Sequence, residues 1–132
     1  MFAFLRQTCT FVRSGQERVF VRDCIFCKIV AGDIPAGKVY EDEHVVAFRD
    51  IQPQAPLHLL IVPRVHLASL DEVDDTALLG HIMVTAARLA REHGVSQGGY
   101  RVVVNCNQDG GQTVFHLHAH LLGGRFMTWP PG

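Results

Sequence analysis

The 132-residue sequence contains no apolar run approaching the roughly 18 to 20 residues that a membrane span requires. A basic excess is missing too: 12 Lys and Arg stand against 13 Asp and Glu, a formal net charge of -1, which argues against a nucleic-acid-binding surface. Cysteine is sparse. Of Cys9, Cys24, Cys27 and Cys106 only Cys24 and Cys27 lie close together, which excludes a secreted disulfide scaffold and leaves reduced or metal-bound thiols. Internal repeats, low-complexity tracts and a secretory apolar region are absent as well. What these absences leave is one soluble, cytoplasmic domain with a single core, no membrane association, and small molecules or protein as its partners. The first twenty-two residues qualify that localisation. They hold Arg6, Arg13, Arg18 and Arg22 but a single acid, Glu17, a composition that suits a mitochondrial transit peptide as well as an extension packed on the domain. Residues 1–22 are therefore read as an N-terminal extension and 23–132 as the domain.

Histidine, by contrast, is plentiful: eight in all, three of them at alternate positions in "FHLHAHLLGG". Around this segment the apolar pattern predicts an α+β fold. Ile25, Phe26, Ile29 and Val30 recur at helical spacing before Gly32 and Pro35, a short helix. "KVYED" and "HVVAFRD" predict a hairpin, and "LHLLIVPR" a strand ended by Pro63. Leu78, Leu79, Ile82, Ala86, Leu89 and Ala90 mark a long helix with one apolar face, capped by Asp74 and closed by Gly94. "YRVVVN" and "FHLHAHLL" predict two more strands, joined by a loop whose glycines would let the backbone approach a ligand. The expected architecture is a largely antiparallel sheet with the long helix packed on it.

On a strand, His116, His118 and His120 share one face and Leu117, Ala119 and Leu121 the other. At about 3.3 Å per residue the outer two are on the order of 13 Å apart, too far for one ion to bind both. A neighbouring pair could still join a distant ligand at a metal. The other chemistry open to the row is nucleophilic, with a central imidazole attacking and its neighbours orienting it or binding charge. The loop "DGGQT" just before it offers backbone N–H groups and the Thr113 hydroxyl to phosphate oxygens.

The "HLHAHLL" segment resembles the H-x-H-x-H signature of the histidine triad (HIT) superfamily. Further blocks, "CIFCKI", "AGDIPA", "AFRDIQPQAPLHLLIVPR", "DGGQTVFHLHAHLLGGR" and the terminal "WPPG", are similar to its Hint branch, the histidine triad nucleotide-binding proteins, over residues 24–132. The resemblance implies a homodimeric HIT fold that binds purine nucleotides and hydrolyses AMP or GMP phosphoramidates. It also implies roles. His118 would be the nucleophile that carries a nucleotidyl group, His120 would hold the phosphate and assist the leaving amine, and His116 and His58 would orient the attacking ring. Asp50 and Ile51 would meet ribose and base, Phe26, Ile29 and Phe48 would wall the base pocket, Asn105, Gly111 and Thr113 would contact phosphate and sugar, and Gln112 would belong to the same nucleotide site. Thr113 stands where the family often has serine. Trp129, in a tail that reaches toward the partner's site in this family, would shape the choice of amine. The dimer would form through the long helix and the "YRVVVN" strand.

Cys24 and Cys27 form C-x-x-C. In HIT proteins that carry this pair, the resemblance adds the histidine after "IVPR" and the first of the triad, here His66 and His116, as a structural Cys2His2 zinc site. No cofactor is expected in catalysis itself. Two other activities suit the same residues: a dinucleoside polyphosphate hydrolase, and a nucleotide-binding interaction protein whose catalysis is incidental.

Overall fold

A computed structural model describes residues 8–13 and 16–132, with side chains from Phe20 onward. The N-terminal extension, 1–22, thus falls partly outside the described residues. Its described backbone forms an antiparallel pair, β1 (Thr8–Arg13) and β2 (Gln16–Val21), for which the sequence pattern gave no expectation. No helix of the described residues is long and apolar enough to cross a membrane.

Helix α1 (Ile25–Ala31) begins at Cys24, whose Sγ accepts the Cys27 N–H at 3.4 Å, and stops at Gly32. There φ is +82°, a left-handed conformation that a side chain would strain. Five strands follow: β3 (Lys38–Glu41), β4 (Val45–Arg49), β5 (Leu57–Pro63), β6 (Tyr100–Val103) and β7 (Ala119–Gly123). They lie in the order β3-β4-β5-β7-β6 with every neighbouring pair antiparallel. Helix α2 (Thr76–Glu92) connects β5 to β6, and β7 inserts between those two strands.

The long helix starts one residue later than expected. Its cap is Asp75, which accepts the Leu78 N–H at 3.1 Å, rather than Asp74; two adjacent aspartates leave the sequence signal degenerate by one position. A lesser addition is the 3-10 turn Leu70–Glu72.

Period-2 alternation gives the sheet two unlike faces. Val45, Ala47, Leu59, Ile61, Ala119 and Leu121 face α2 and pack with its Ile82, Ala86, Leu89 and Ala90. Fully burying a large aliphatic side chain of this kind is worth about 1.5 to 3 kcal/mol. On the opposite face Val46, Phe48, Leu60 and Val62 pack under α1 against Phe26 and Ile29. A polar latch fixes α2 to the β3–β4 turn: His81 Nε2 lies 2.6 Å from Asp42, which also accepts the Tyr40 hydroxyl at 2.7 Å. Burial alone would raise the Asp42 carboxyl, but hydrogen bonds from Tyr40, His44, Val45 and His81 hold it well below the usual range.

Register shows what α1 leaves open. His58 pairs with Leu122 and Leu122 with Arg101; in the next row Leu60 pairs with His120 and His120 with Val103. All six therefore share the face that α1 covers only at its β4 side. The half toward β6 stays accessible.

Candidate active site

The triad segment enters β7 only at Ala119, so His116 and His118 precede the strand instead of lying on it. Pairing with β5 ends at Ile61–Ala119. Beyond that point Pro63 has no N–H to offer, its carbonyl is taken by His116 Nε2 at 2.8 Å, and the Leu117 N–H turns to the Leu67 carbonyl at 2.6 Å. The alternation survives all the same. Leu117, Ala119 and Leu121 enter the α2 core, while the Phe26 ring meets His118 edge-on at 5.1 Å and His118 lies 4.9 Å from His120.

Hydrogen-bond partners assign every proton in this row, since a carbonyl can only accept and a backbone N–H can only donate. His118 Nδ1 lies 2.7 Å from the His116 carbonyl, so Nδ1 carries the proton and Nε2 keeps a free lone pair. His58 Nδ1 accepts the Gln54 N–H at 3.0 Å, which puts the His58 proton on Nε2. That proton points at His120 Nδ1, 2.9 Å away, with the Asp50 carboxylate at 3.4 Å from the same nitrogen. His120 Nδ1 is thereby an acceptor and His120 Nε2 a donor. Burial depresses all three rings: His118 and His58 below the usual imidazole value, and His120, helped by His118 and His58, down to about 4. Near pH 7 each is neutral, and the site presents a nucleophilic nitrogen beside an N–H donor.

Among the described residues, two groups have metal-ligand spacing, and the same proton assignment separates them. In the first, the ligand atoms of Cys24, Cys27, His66 and His116 lie within 4.8 Å of one another. Cys24 Sγ is 3.3 Å and Cys27 Sγ 3.6 Å from His116 Nδ1, and Cys27 Sγ is 3.4 Å from His66 Nδ1. Sulfur at about 2.3 Å and nitrogen at about 2.0 to 2.1 Å on a tetrahedral zinc stand ~3.5 Å apart, so the donors fit that ion. His116 Nε2–H on the Pro63 carbonyl leaves Nδ1 free to ligate, as metal-bound imidazoles require. The hydrogen bond from Cys27 lowers the Cys24 thiol, with His116 and His66 adding to it, and the same bond raises Cys27. The second group is Asp50, His58 and His120. Here the Gln54 N–H occupies His58 Nδ1, so Nε2, the atom that would ligate, holds the proton. This group is a hydrogen-bond chain.

The remaining expected residues distribute as follows. Phe26, Ile29 and Phe48 are buried together, Phe26 and Phe48 edge to face at 5.4 Å, while Ile51 is 94% exposed on the adjoining loop. Asp50 Oδ1 accepts the Gln52 N–H at 2.8 Å, a turn role that leaves Oδ2 toward His58. The expectation for "DGGQT" needs revision. Gly110 does allow a close approach, but to its own chain: a Cβ there would stand 2.5 Å from the Cys106 carbonyl oxygen. The Gly111 and Gln112 N–H groups are bonded to the Gln108 and Asn107 carbonyls. The Gln112 side chain donates to Ala68 and Val114 and accepts from Asn107, so it braces the loop. Thr113 is exposed. Asn105 lines a groove of about 520 Å³ with His58, His120, Arg101 and Arg125. The tail borders this groove beside the chain's own histidines, Thr128 accepting from Arg101 at 2.7 Å and the 81% exposed Trp129 ring 5.9 Å from the same guanidinium. Sequence reasoning missed the Gln54 N–H, the Pro63 carbonyl and both arginines. Backbone groups carry no residue signature, so nothing in the sequence could have marked the first two.

The family model of the HIT domain matches residues 31–127. An uncharacterised HIT-like protein of Synechococcus elongatus is 51% identical over 83% of this chain and 97% of its own length. The 14 kDa zinc-binding protein of Zea mays is 49% identical over 82% of this chain and 87% of its own. Among solved structures, the HIT family hydrolase from Legionella pneumophila superposes with a TM-score of 0.82 at 55% identity, covering 83% of this chain and all of that one (100%).

Proposed function

The chain belongs to the HIT domain family, and from that premise we propose that it hydrolyses purine nucleoside 5′-phosphoramidates through a nucleotidyl intermediate on His118, in the manner of the Hint branch. The observation that carries the reading is the 2.7 Å bond from His118 Nδ1 to the His116 carbonyl, beside a ring kept neutral by burial. His118 Nε2 attacks the α-phosphorus, the P–N bond to the amine breaks, and the amine leaves with a proton from water. The ring becomes cationic in that step, and the His116 carbonyl, facing Nδ1–H, stabilises the charge as it develops. His120 Nε2–H holds a phosphate oxygen. Water then displaces His118, giving up its proton to the hydroxide left by the first step, so that His118 returns to its neutral form and the monophosphate is released.

Phe26, Ile29, Phe48 and Ile51 are proposed for the base, Asp50 for the ribose, and Asn105 and Thr113 for phosphate and sugar, with Gly111 and Gln112 shaping the loop that carries Thr113. Cys24, Cys27, His66 and His116 are proposed to hold zinc, in keeping with the zinc-binding relative from Zea mays. The ion would supply a fixed tie between α1 and the triad; no chemical step needs it. A homodimer through α2 is proposed from its outward apolar residues Met83 (43% exposed) and Val84 (67%), and light scattering tests it. "LLGGR" and "WPPG" favour the phosphoramidase over a dinucleoside polyphosphate hydrolase. Steady-state turnover of an adenosine phosphoramidate beside a diadenosine polyphosphate decides between them: the reading expects a far higher kcat/KM for the first, and the reverse order overturns it.

A further inference from the structure

Arg125 is exposed and belongs to neither the triad nor the loop that precedes it, yet it bonds into the histidine chain. Its Nε donates to the Gln54 carbonyl at 2.9 Å, and its Nη1 to the Phe126 carbonyl at 3.1 Å. Gln54 is the residue whose N–H meets His58 Nδ1, and its side chain ties back to the Gln52 carbonyl at 3.1 Å. The backbone is shaped for this reach. Gly124 adopts φ +91°, and a Cβ on it would stand 2.9 Å from Pro56 Cβ, so only glycine lets β7 exit closely enough over residues 54–56 for Arg125 to grip them.

We propose that Arg125, placed by Gly124, is a positioning residue for the reaction above. By holding Gln54 it keeps the Gln54 N–H on His58 Nδ1, which keeps the His58 proton on Nε2, which in turn makes His120 Nδ1 an acceptor and His120 Nε2 the donor that faces phosphate. A peptide loop that drifts by one hydrogen-bond length loses the first link, and the protons of His58 and His120 are then free to redistribute. The claim rests on the proposed reaction for its kinetic consequence, but not for its structural one.

The test uses the full chain with 15N-labelled histidine and reads tautomers by long-range proton–nitrogen correlation, in wild type, Arg125→Ala, Arg125→Lys and Arg101→Ala. Wild type is expected to show single tautomers, with the proton on Nε2 of both His58 and His120. Arg125→Ala is expected to give mixed tautomers at both rings, a kcat for the phosphoramidate lower by about tenfold and a KM within about twofold. Arg125→Lys, which offers one donor to the same carbonyl, restores most of both signals. Arg101→Ala releases the tail without touching Gln54 and leaves the tautomers as in wild type. Unchanged tautomers in Arg125→Ala overturn the proposal, as does an equal disturbance in Arg101→Ala. If Arg125→Ala does not fold, Arg125→Met, which keeps the aliphatic stem and removes every donor, decides: mixed tautomers at His58 and His120 support the proposal, and a wild-type pattern overturns it. A wild type that lacks phosphoramidase activity yet loses its tautomers in Arg125→Ala would sink the reaction and keep the positioning role.

Discussion

Lowering the pH should uncouple the site in a way that an ordinary surface histidine does not. His120 is depressed from 6.5 to about 4 by burial, then by the nearby His118 and His58. At pH 5 a group with a pKa near 4 is roughly one-tenth protonated, whereas a free imidazole is roughly 97% protonated. The sign for stability follows. The unfolded chain takes up a proton at this residue as pH falls through about 6.5, and the folded chain only near 4. The contribution is thus intact above pH 6.5, begins to be lost below it, and is gone once the pH is under about 4. At 1.36 kcal/mol per pKa unit the loss is of the order of 3 kcal/mol, an upper bound because the ring keeps part of its surface in water. Urea unfolding of wild type and His120→Asn at several pH values, with NMR titration of the His120 ring, measures both quantities. The difference in stability between the two proteins should narrow as pH falls from 6.5 toward 4. A His120 ring that titrates near 6.5, or a difference that does not change with pH, would refute the reasoning.

Purified wild type should carry one zinc per chain by elemental analysis, and Cys27→Ser should carry none and melt at a lower temperature; metal-free wild type with an unchanged melting point under chelator would remove the structural zinc. Gly110→Ala should cost about 1 to 3 kcal/mol, because a Cβ 2.5 Å from the Cys106 carbonyl forces the loop to move, and KM should rise with it; denaturant midpoints and steady-state kinetics test this. Asp75→Ala should lower stability by about 1 kcal/mol through loss of the cap on α2, while Asp74→Ala changes little.

The elements that alternate or repeat cleanly were legible in the sequence. Helix α1 ends at Gly32 and β5 at Pro63 because each residue type enforces its stop locally. The two-faced character of the triad segment was legible even though half of it is not strand, since Leu117 must reach the α2 core and its neighbours cannot. The partners that give each histidine its proton were not legible. They are a peptide carbonyl at His116, another at Pro63 and an N–H at Gln54, backbone groups that carry no residue signature and that only the fold selects. For the same reason the glycines before the triad suggested a ligand, whereas Gly110 accommodates Cys106. Asp50 read as a ribose ligand also turns the chain through Gln52, two roles that one carboxylate can fill with two oxygens.

The most direct test of the account is intact-protein mass spectrometry during turnover of an adenosine phosphoramidate, with and without chelator, in wild type and His118→Ala. An added nucleotidyl mass is expected on wild type, persisting under chelator and absent from His118→Ala. An adduct that forms equally on His118→Ala, or turnover with no dependence on that residue, would contradict it.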